Sequence, residues 1–93
     1  MTAIRVTGHD GDVQKVLVAR DGQRWEFEVE IDEAQAAELG GEPAGVARAT
    51  LAFLLDREPP TSIMARFGPG TVRGYFPEYD RELPGYLEGP GAR

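Results

Sequence analysis

Two runs of alternating apolar and polar residues, joined by Asp21-Gly22, constrain the fold of this chain more than any other feature. The runs extend over residues 13–20 and 24–31. An Asp-Gly pair between two such runs predicts a β-hairpin, because both central residues of a type I′ turn need a positive φ. The sequence therefore predicts two antiparallel strands between Val13 and Ile31.

This turn also predicts which residues face each other across the hairpin. With Asp21-Gly22 as the turn residues, one face of the hairpin is apolar, and Lys15 lies opposite Glu28 on the other face. A slip by one residue would place Val18 opposite Glu26, so the first register is favoured. The other predicted pairs are Ala19 with Arg24, Val18 with Trp25 and Val16 with Phe27.

A further strand is predicted before the hairpin. Ile4 and Val6 alternate with Arg5 and Thr7, which is typical of a short strand with one buried face. The polar and glycine residues from His9 to Asp12 predict a turn that joins it to the hairpin. Residues 1–31 are therefore predicted to form a three-stranded antiparallel β-meander.

The residues after the meander predict helices. Asp32 and Gln35 have the spacing of a capping box, and Gly40-Gly41 ends this first helix. A longer helix over residues 43–57 begins at Pro43 and stops before Pro59-Pro60. Shorter helices are predicted over residues 61–67, 71–76 and 77–83, and residues 84–93 are predicted to form a flexible tail.

These elements predict an α+β fold, in which a three-stranded antiparallel β-meander is followed by two to four helices packed on one face. A chain of 93 residues suffices for one domain. The predicted domain covers residues 1–83, with the meander over 1–31 and the helical part over 32–83. No cysteine, signal peptide or apolar run long enough to span a membrane is present, so a cytoplasmic location is predicted.

The net charge of −6 is concentrated in one segment of this small acidic protein. Residues 26–42 contain no Lys or Arg and carry Glu26, Glu28, Glu30, Asp32, Glu33, Glu38 and Glu42. Proteins that bind phosphate backbones rely on the opposite charge. Nucleic acid is therefore disfavoured as the main partner.

The residues offer little support for catalysis. His9 is the one histidine, and Ser62 is the one serine. His9 is better explained as a solvated turn residue, and Ser62 as a helix cap. His9, Asp10 and Asp12 cluster closely, but their spacing matches neither a zinc pattern nor a calcium loop. No catalytic residue, cofactor or metal site is predicted, and the protein is predicted not to be an enzyme.

Two surfaces are candidates for binding a partner. The first is the polar face of the hairpin, where Glu26, Glu28 and Glu30 alternate beside Leu17. The second is the C-terminal third, where arginines and aromatic residues interleave as they do in interaction hot spots. Its candidate residues are Arg66, Arg73, Tyr75 and Tyr79. A solvated sheet face and packing of the aromatics in the core remain the alternative explanations.

Two strings in the second half of the chain resemble a known group of sequences. LAFLLDREPPTSIMARF at residues 51–67 and VRGYFPEY at residues 72–79 resemble small bacterial proteins, particularly from actinobacteria, to which no function is assigned. This resemblance implies no activity, cofactor or catalytic residue. The linking segment contains Gly68-Pro69-Gly70 and Gly74, where such proteins are expected to be more helical.

The sequence therefore favours a small binding or regulatory module that acts through an unknown protein partner, with a homodimer left open. One alternative is nucleic-acid binding by Arg66, Arg73, Arg81 and the nearby tyrosines. The other is a small enzyme or an accessory subunit of an enzyme, which uses His9 and neighbouring carboxylates. A membrane partner is not predicted.

Overall fold

The computed structural model describes residues 1–88, and its first third is the predicted antiparallel meander. The strands are β1 (Thr2–Asp10), β2 (Val13–Arg20) and β3 (Gln23–Glu30). Asp21 and Gly22 have φ values of 52° and 82°, the positive values that a type I′ turn needs. The fold class is α+β, as predicted from the alternating runs and the helix signals.

The predicted register of the hairpin is confirmed at every pair. Lys15 lies opposite Glu28, and Val16 lies opposite Phe27 on the apolar face. The remaining pairs are Val18 with Trp25 and Ala19 with Arg24. Local turn chemistry therefore determines which side chains enter the core.

β1 is longer than predicted, because its pairing with β2 continues to Asp10. His9 and Asp10 belong to the strand, and the turn contains only Gly11 and Asp12, with Gly11 at a φ of 61°. A turn this short lets the ladder continue almost to the loop. The register shifts between Val6 and Gly8, which marks a β-bulge in β1.

The first two helices are confirmed. α1 (Glu33–Leu39) begins with the predicted capping box: the Gln35 backbone N–H donates to Asp32 at 2.7 Å, and the Asp32 N–H donates to the Gln35 side chain at 3.0 Å. Gly40 ends this helix at a φ of 99°, which favours glycine. α2 (Pro43–Leu55) starts at its proline and ends two residues earlier than predicted.

Residues 61–67 do not form the predicted helix. Pro60–Ser62 make a single 3₁₀ turn, and Arg66–Phe67 form β4, which pairs in parallel with β3. The sheet is therefore mixed and has the strand order β1-β2-β3-β4. Pairing of a two-residue strand with a distant one is a tertiary contact, so local sequence patterns do not record it.

The two helices predicted over residues 71–76 and 77–83 are present, but their bounds are shifted. Gly68-Pro69-Gly70 opens a helix instead of closing one, because a proline is favoured at the first helical position. This helix is α3 (Pro69–Tyr75), and α4 (Tyr79–Leu87) follows it. The predicted tail is therefore wrong from Pro84 to Leu87, and residues 89–93 of that prediction lie outside the described residues.

α4 continues past Pro84 because its last turn packs on the rest of the molecule. The Tyr86 ring lies 5.7 Å from the Phe53 ring, edge to face, and its hydroxyl donates a hydrogen bond to Asp56 at 2.6 Å. Leu87 packs against the core. These contacts offset the backbone hydrogen bond that a proline removes from a helix.

One core lies between the sheet and the helices. The inner face of the sheet contributes Val16, Val18, Phe27 and Val29, and α2 lies against β1 and β2. The opposite face is called the outer face and carries Lys15, Leu17, Glu26, Glu28 and Glu30. Within residues 1–88, no helix has the length and apolarity that a membrane crossing requires.

Gly68 is expected to tolerate no side chain. A Cβ atom there would lie 2.9 Å from the backbone carbonyl oxygen of Glu30, which has little freedom to move. We expect Gly68→Ala to lower the free energy of unfolding by about 1–3 kcal/mol in urea denaturation. Gly74→Ala in α3 is the control, because its Cβ meets no heavy atom within 4 Å. It should be neutral or stabilising by about 0.5–1 kcal/mol, and equal losses in both variants would contradict this explanation.

Candidate functional site

The outer face brings the first predicted surface together with a residue of the second. Glu26, Glu28 and Glu30 alternate along β3 as predicted, and Leu17 lies opposite Glu26. Arg66 on β4 hydrogen-bonds to Glu30 through Nε, and its Nη1 lies 3.4 Å from Glu28 Oε1. The predicted acidic stripe is therefore partly neutralised by an arginine that the sequence assigned to another surface.

Further basic residues lie on the same face. Lys15 is opposite Glu28, while Arg5 and Arg24 are opposite Leu17 and Ala19. The outer face therefore carries charges of both signs, and it offers a basic partner no continuous acidic surface. Reversal of all three glutamates to lysine would also break the ion pairs of Arg66, so such a variant would not isolate a binding effect.

Two other arginines of the C-terminal third, Arg73 and Arg81, also lie beside carboxylates. Arg73 Nε lies 2.8 Å from Asp80 Oδ2, and Arg81 Nη2 lies 3.7 Å from Glu82 Oε2. A phosphate group would have to displace these carboxylates and the partners of Arg66. Each of the three arginines named for nucleic-acid binding therefore has a carboxylate beside it.

Tyr79 belongs to the core and not to a surface. Its side chain is fully buried, and its hydroxyl lies 2.8 Å from the Thr50 hydroxyl. Thr50 donates its single proton to the Val46 carbonyl at 2.7 Å, so Tyr79 is the donor in the bond between the two hydroxyls. Burial raises the pKa of Tyr79, and no partner reaches this side chain in the folded protein.

Arg57 lies two residues after the end of α2 and connects that helix to α4, and sequence reasoning missed it. Its Nε lies 3.1 Å from Glu78 and its Nη2 lies 3.0 Å from Glu82. Its Nη1 donates to the Phe53 carbonyl at 3.0 Å, and its guanidinium lies 3.7 Å from the centre of the Phe53 ring. This cluster of contacts links the end of α2 to α4, and each of the three guanidinium nitrogens has an acceptor.

The pKa values in this cluster follow from the same contacts. The hydrogen bond that Tyr86 donates to Asp56 raises the pKa of the Tyr86 hydroxyl. A hydrogen bond from its own backbone, followed by the one from Arg57, lowers the pKa of Glu78. The two pKa shifts favour the protonated hydroxyl of Tyr86 and the ionised carboxylate of Glu78. In these states the two side chains hydrogen-bond to Asp56 and Arg57.

In the described part of the chain, metal-ligating side chains do not gather around His9. His9 is exposed on β1, and among residues 1–88 no three His, Asp or Glu side chains are close enough to hold a metal ion. His9, Asp10 and Asp12 therefore do not converge on a site.

Tyr75 lies on the rim of an apolar groove that sequence reasoning did not predict. A cavity of about 250 Å³ opens between the end of α2, the 3₁₀ turn, β4 and α3. We call it the Met64–Tyr75 groove, after its two exposed apolar side chains. The other apolar lining residues are Leu54, Ile63, Phe67, Val72 and Phe76, and the polar ones are Glu58, Ser62 and Thr71.

The exposure of these two rim residues distinguishes the groove from the rest of the surface. Tyr75 is 73% exposed and Met64 is 47% exposed. Among the described residues, only the N-terminal Met1 is another large apolar side chain with comparable exposure. Contiguous exposed apolar surface beside a cavity is typical of interaction sites. The sequence identified Tyr75 as a candidate, but it contained no signal for Met64.

Comparison of the chain with protein-family models, with curated proteins and with solved structures finds no match. The resemblance to small bacterial proteins therefore stays a prediction, and the functional argument depends on the site alone.

Proposed function

We propose that this protein is a small non-enzymatic module that binds a partner protein through the Met64–Tyr75 groove. The observation that carries this proposal is the position of Met64 and Tyr75 on the rim of the same apolar cavity. Methionine adapts to irregular partner surfaces, and tyrosine is enriched at protein interfaces. We also propose a cytoplasmic location, for the reasons given in the sequence analysis.

The size of the groove favours a side chain of a protein over a small molecule as its occupant. Its volume of about 250 Å³ is below the roughly 300–1,000 Å³ of pockets that enclose drug-sized ligands. An apolar side chain of a partner would insert between Met64 and Tyr75 and reach the floor at Phe67 and Val72. The backbone of the partner would then lie across the rim.

The charge at the groove indicates what lies next to this apolar anchor. Glu58 lines the groove, is half-buried and makes no salt bridge with any other residue of the described part of the chain. A lysine or arginine beside the anchor would pair with this carboxylate in a partly desolvated position. We therefore expect a partner segment in which an apolar residue is followed or preceded by a basic one.

A random peptide library displayed on phage tests this function directly. We expect selection on the wild-type protein to enrich peptides that combine an apolar or aromatic residue with a nearby Lys or Arg. The double variant Met64→Ser/Tyr75→Ser should bind these peptides at least about ten-fold more weakly, because truncated hot-spot residues typically cost 1 kcal/mol or more each. Binding of synthetic peptides is measured by fluorescence anisotropy.

Two further variants serve as controls in this experiment. Glu26→Lys changes the outer face without breaking an ion pair of Arg66 and should leave peptide affinity unchanged. Glu58→Gln should weaken binding of the peptides that contain the basic residue and spare those in which it is replaced by alanine. Enriched peptides that bind the double variant as tightly as the wild type would refute the proposal, and so would a selection that enriches no peptide.

The outer face supports a protein partner less well. Two of its three glutamates are paired with Arg66, and Leu17 there is only half-exposed. Charged, solvated sheet faces are normal in antiparallel sheets that cover a core on one side. This face is therefore retained as the control surface and not as the proposed site.

A further inference from the structure

β1 is an edge strand of the sheet. It is the first strand in the sheet order, and in the part of the chain that the structure describes it pairs with β2 alone. Within residues 1–88, no other strand pairs with its second edge, whereas the far edge of β3 is partly covered by β4. Unpaired edge strands present free N–H and C=O groups that can pair with another strand.

One part of β1 lacks the features that usually protect such an edge. The bulge between Val6 and Gly8 interrupts the strand and disfavours pairing beyond it. The regular stretch before the bulge, Thr2–Val6, contains no proline and no lysine, and Arg5 is its one charged residue. Pairing with another strand is therefore unobstructed over these five residues.

We propose that Thr2–Val6 pairs with the same stretch of a second copy, in antiparallel orientation about a two-fold axis at Ile4. A symmetric contact of this kind requires a surface that is complementary to itself. In this register Ile4 lies opposite Ile4 of the second copy, and Arg5 lies opposite Ala3. No charged residue is placed directly opposite one of the same sign.

The burial of the inner face supports this register. Ile4 and Val6 lie opposite Val18 and Val16, pack against the core and are only half-buried in a single copy. Pairing would place Ile4 beside its own copy and Val6 beside Thr2 on the inner face, so the exposed part of each apolar side chain would be covered. Two four-stranded sheets would join into one, with the helices of both copies on the same side.

Cysteine cross-linking tests the register, because the chain contains no cysteine of its own. Directly opposite residues have Cβ atoms about 4.5–5.5 Å apart, whereas diagonal neighbours are about 7–8 Å apart. Disulfides do not form between residues whose Cα atoms are more than about 7 Å apart. We therefore expect Ile4→Cys to form a disulfide-linked dimer under mild oxidation at least about ten-fold faster than Ala3→Cys or Arg5→Cys.

A second pair of variants keeps the test decisive if Ile4→Cys lowers stability. Thr2→Cys and Val6→Cys should form a mixed disulfide with each other in preference to either homodimer, because the register places residue 2 opposite residue 6. Equal cross-linking at all positions, or none at any, would overturn the proposal. The second outcome would leave this edge free for an extended segment of another protein.

The association of the unmodified protein provides an independent measurement. A pairing limited to five residues falls well short of the roughly 1,200–2,000 Å² that stable interfaces bury, so we expect a dissociation constant on the order of 10–100 µM. Sedimentation velocity over a concentration series should show a rising weight-average sedimentation coefficient, and Ile4→Lys should abolish the rise. A coefficient that stays at the monomer value throughout the series would contradict the dimer.

Discussion

Arg57→Ala is expected to lower the free energy of unfolding by about 2–3 kcal/mol, measured by urea denaturation. The Arg57 side chain is 20% exposed and contacts Glu78, Glu82, Tyr86 and the Phe53 carbonyl. Removing it takes one donor from each of the two carboxylates and the side-chain donor from the Phe53 carbonyl. Removing one partner of a fully buried ion pair lowers the free energy of unfolding by about 3–5 kcal/mol. The expected loss is smaller here because Glu78 and Glu82 are partly exposed.

Arg73→Ala is the matched control for this prediction. Arg73 forms one ion pair with Asp80, and both side chains are about half-exposed, at 47% and 53%. Surface pairs of this kind contribute about 0–1 kcal/mol, so the loss should be within that range. Equal losses in the two variants would show that the contacts of Arg57 do not hold α4 in place.

Local sequence patterns predicted the parts of this fold that depend on neighbouring residues. The hairpin register follows from Asp21-Gly22, and the start of α1 follows from Asp32 and Gln35. Asp32 and Gln35 are three residues apart along the chain. In the hairpin, the two turn residues are adjacent, and the turn determines all the later pairs. A single sequence suffices for such interactions.

The errors occur where the structure depends on distant contacts. β4 exists because Arg66 and Phe67 pair with residues 28 and 29, and α4 continues past Pro84 because Tyr86 reaches Asp56 and Phe53. The glycine and proline content from Pro84 onward and the lack of periodicity predicted a flexible tail, and tertiary packing overrides that prediction up to Leu87. These contacts join residues about thirty or more positions apart, which no local pattern records.

The candidate site was likewise predictable only where it depends on neighbouring residues. The sequence identified an Arg-rich and aromatic segment, but it could not distinguish buried Tyr79 from exposed Tyr75. The difference arises from the positions of α3 and α4, since Tyr79 points at Thr50 in α2 and Tyr75 lies at the open rim. Met64 carried no signal because a single methionine in a loop is compatible with either environment.

Phe53→Ala is expected to lower the free energy of unfolding by about 3–5 kcal/mol. The ring is fully buried and makes edge-to-face contacts with Phe76, Tyr79 and Tyr86 at centroid distances of 5.3–5.8 Å. The stability of a domain of this size is about 5–14 kcal/mol, so the variant should lose a large part of it. Phe53→Leu, which fills most of the space, should lose only about 1–2 kcal/mol, and equal losses would show that the cavity is not the cause.

Phe53 and Arg57 are also expected to be coupled, because the guanidinium lies 3.7 Å above the ring. Each single substitution removes this contact, so the double variant should lose less stability than the sum of the two, by about 0.5–2 kcal/mol. Phe53→Leu is the suitable substitution for this cycle, since it keeps the protein folded while it removes the aromatic face. Additive losses would mean that the stacking contributes no stability, and that Arg57 holds α4 through its hydrogen bonds to Glu78, Glu82 and Tyr86.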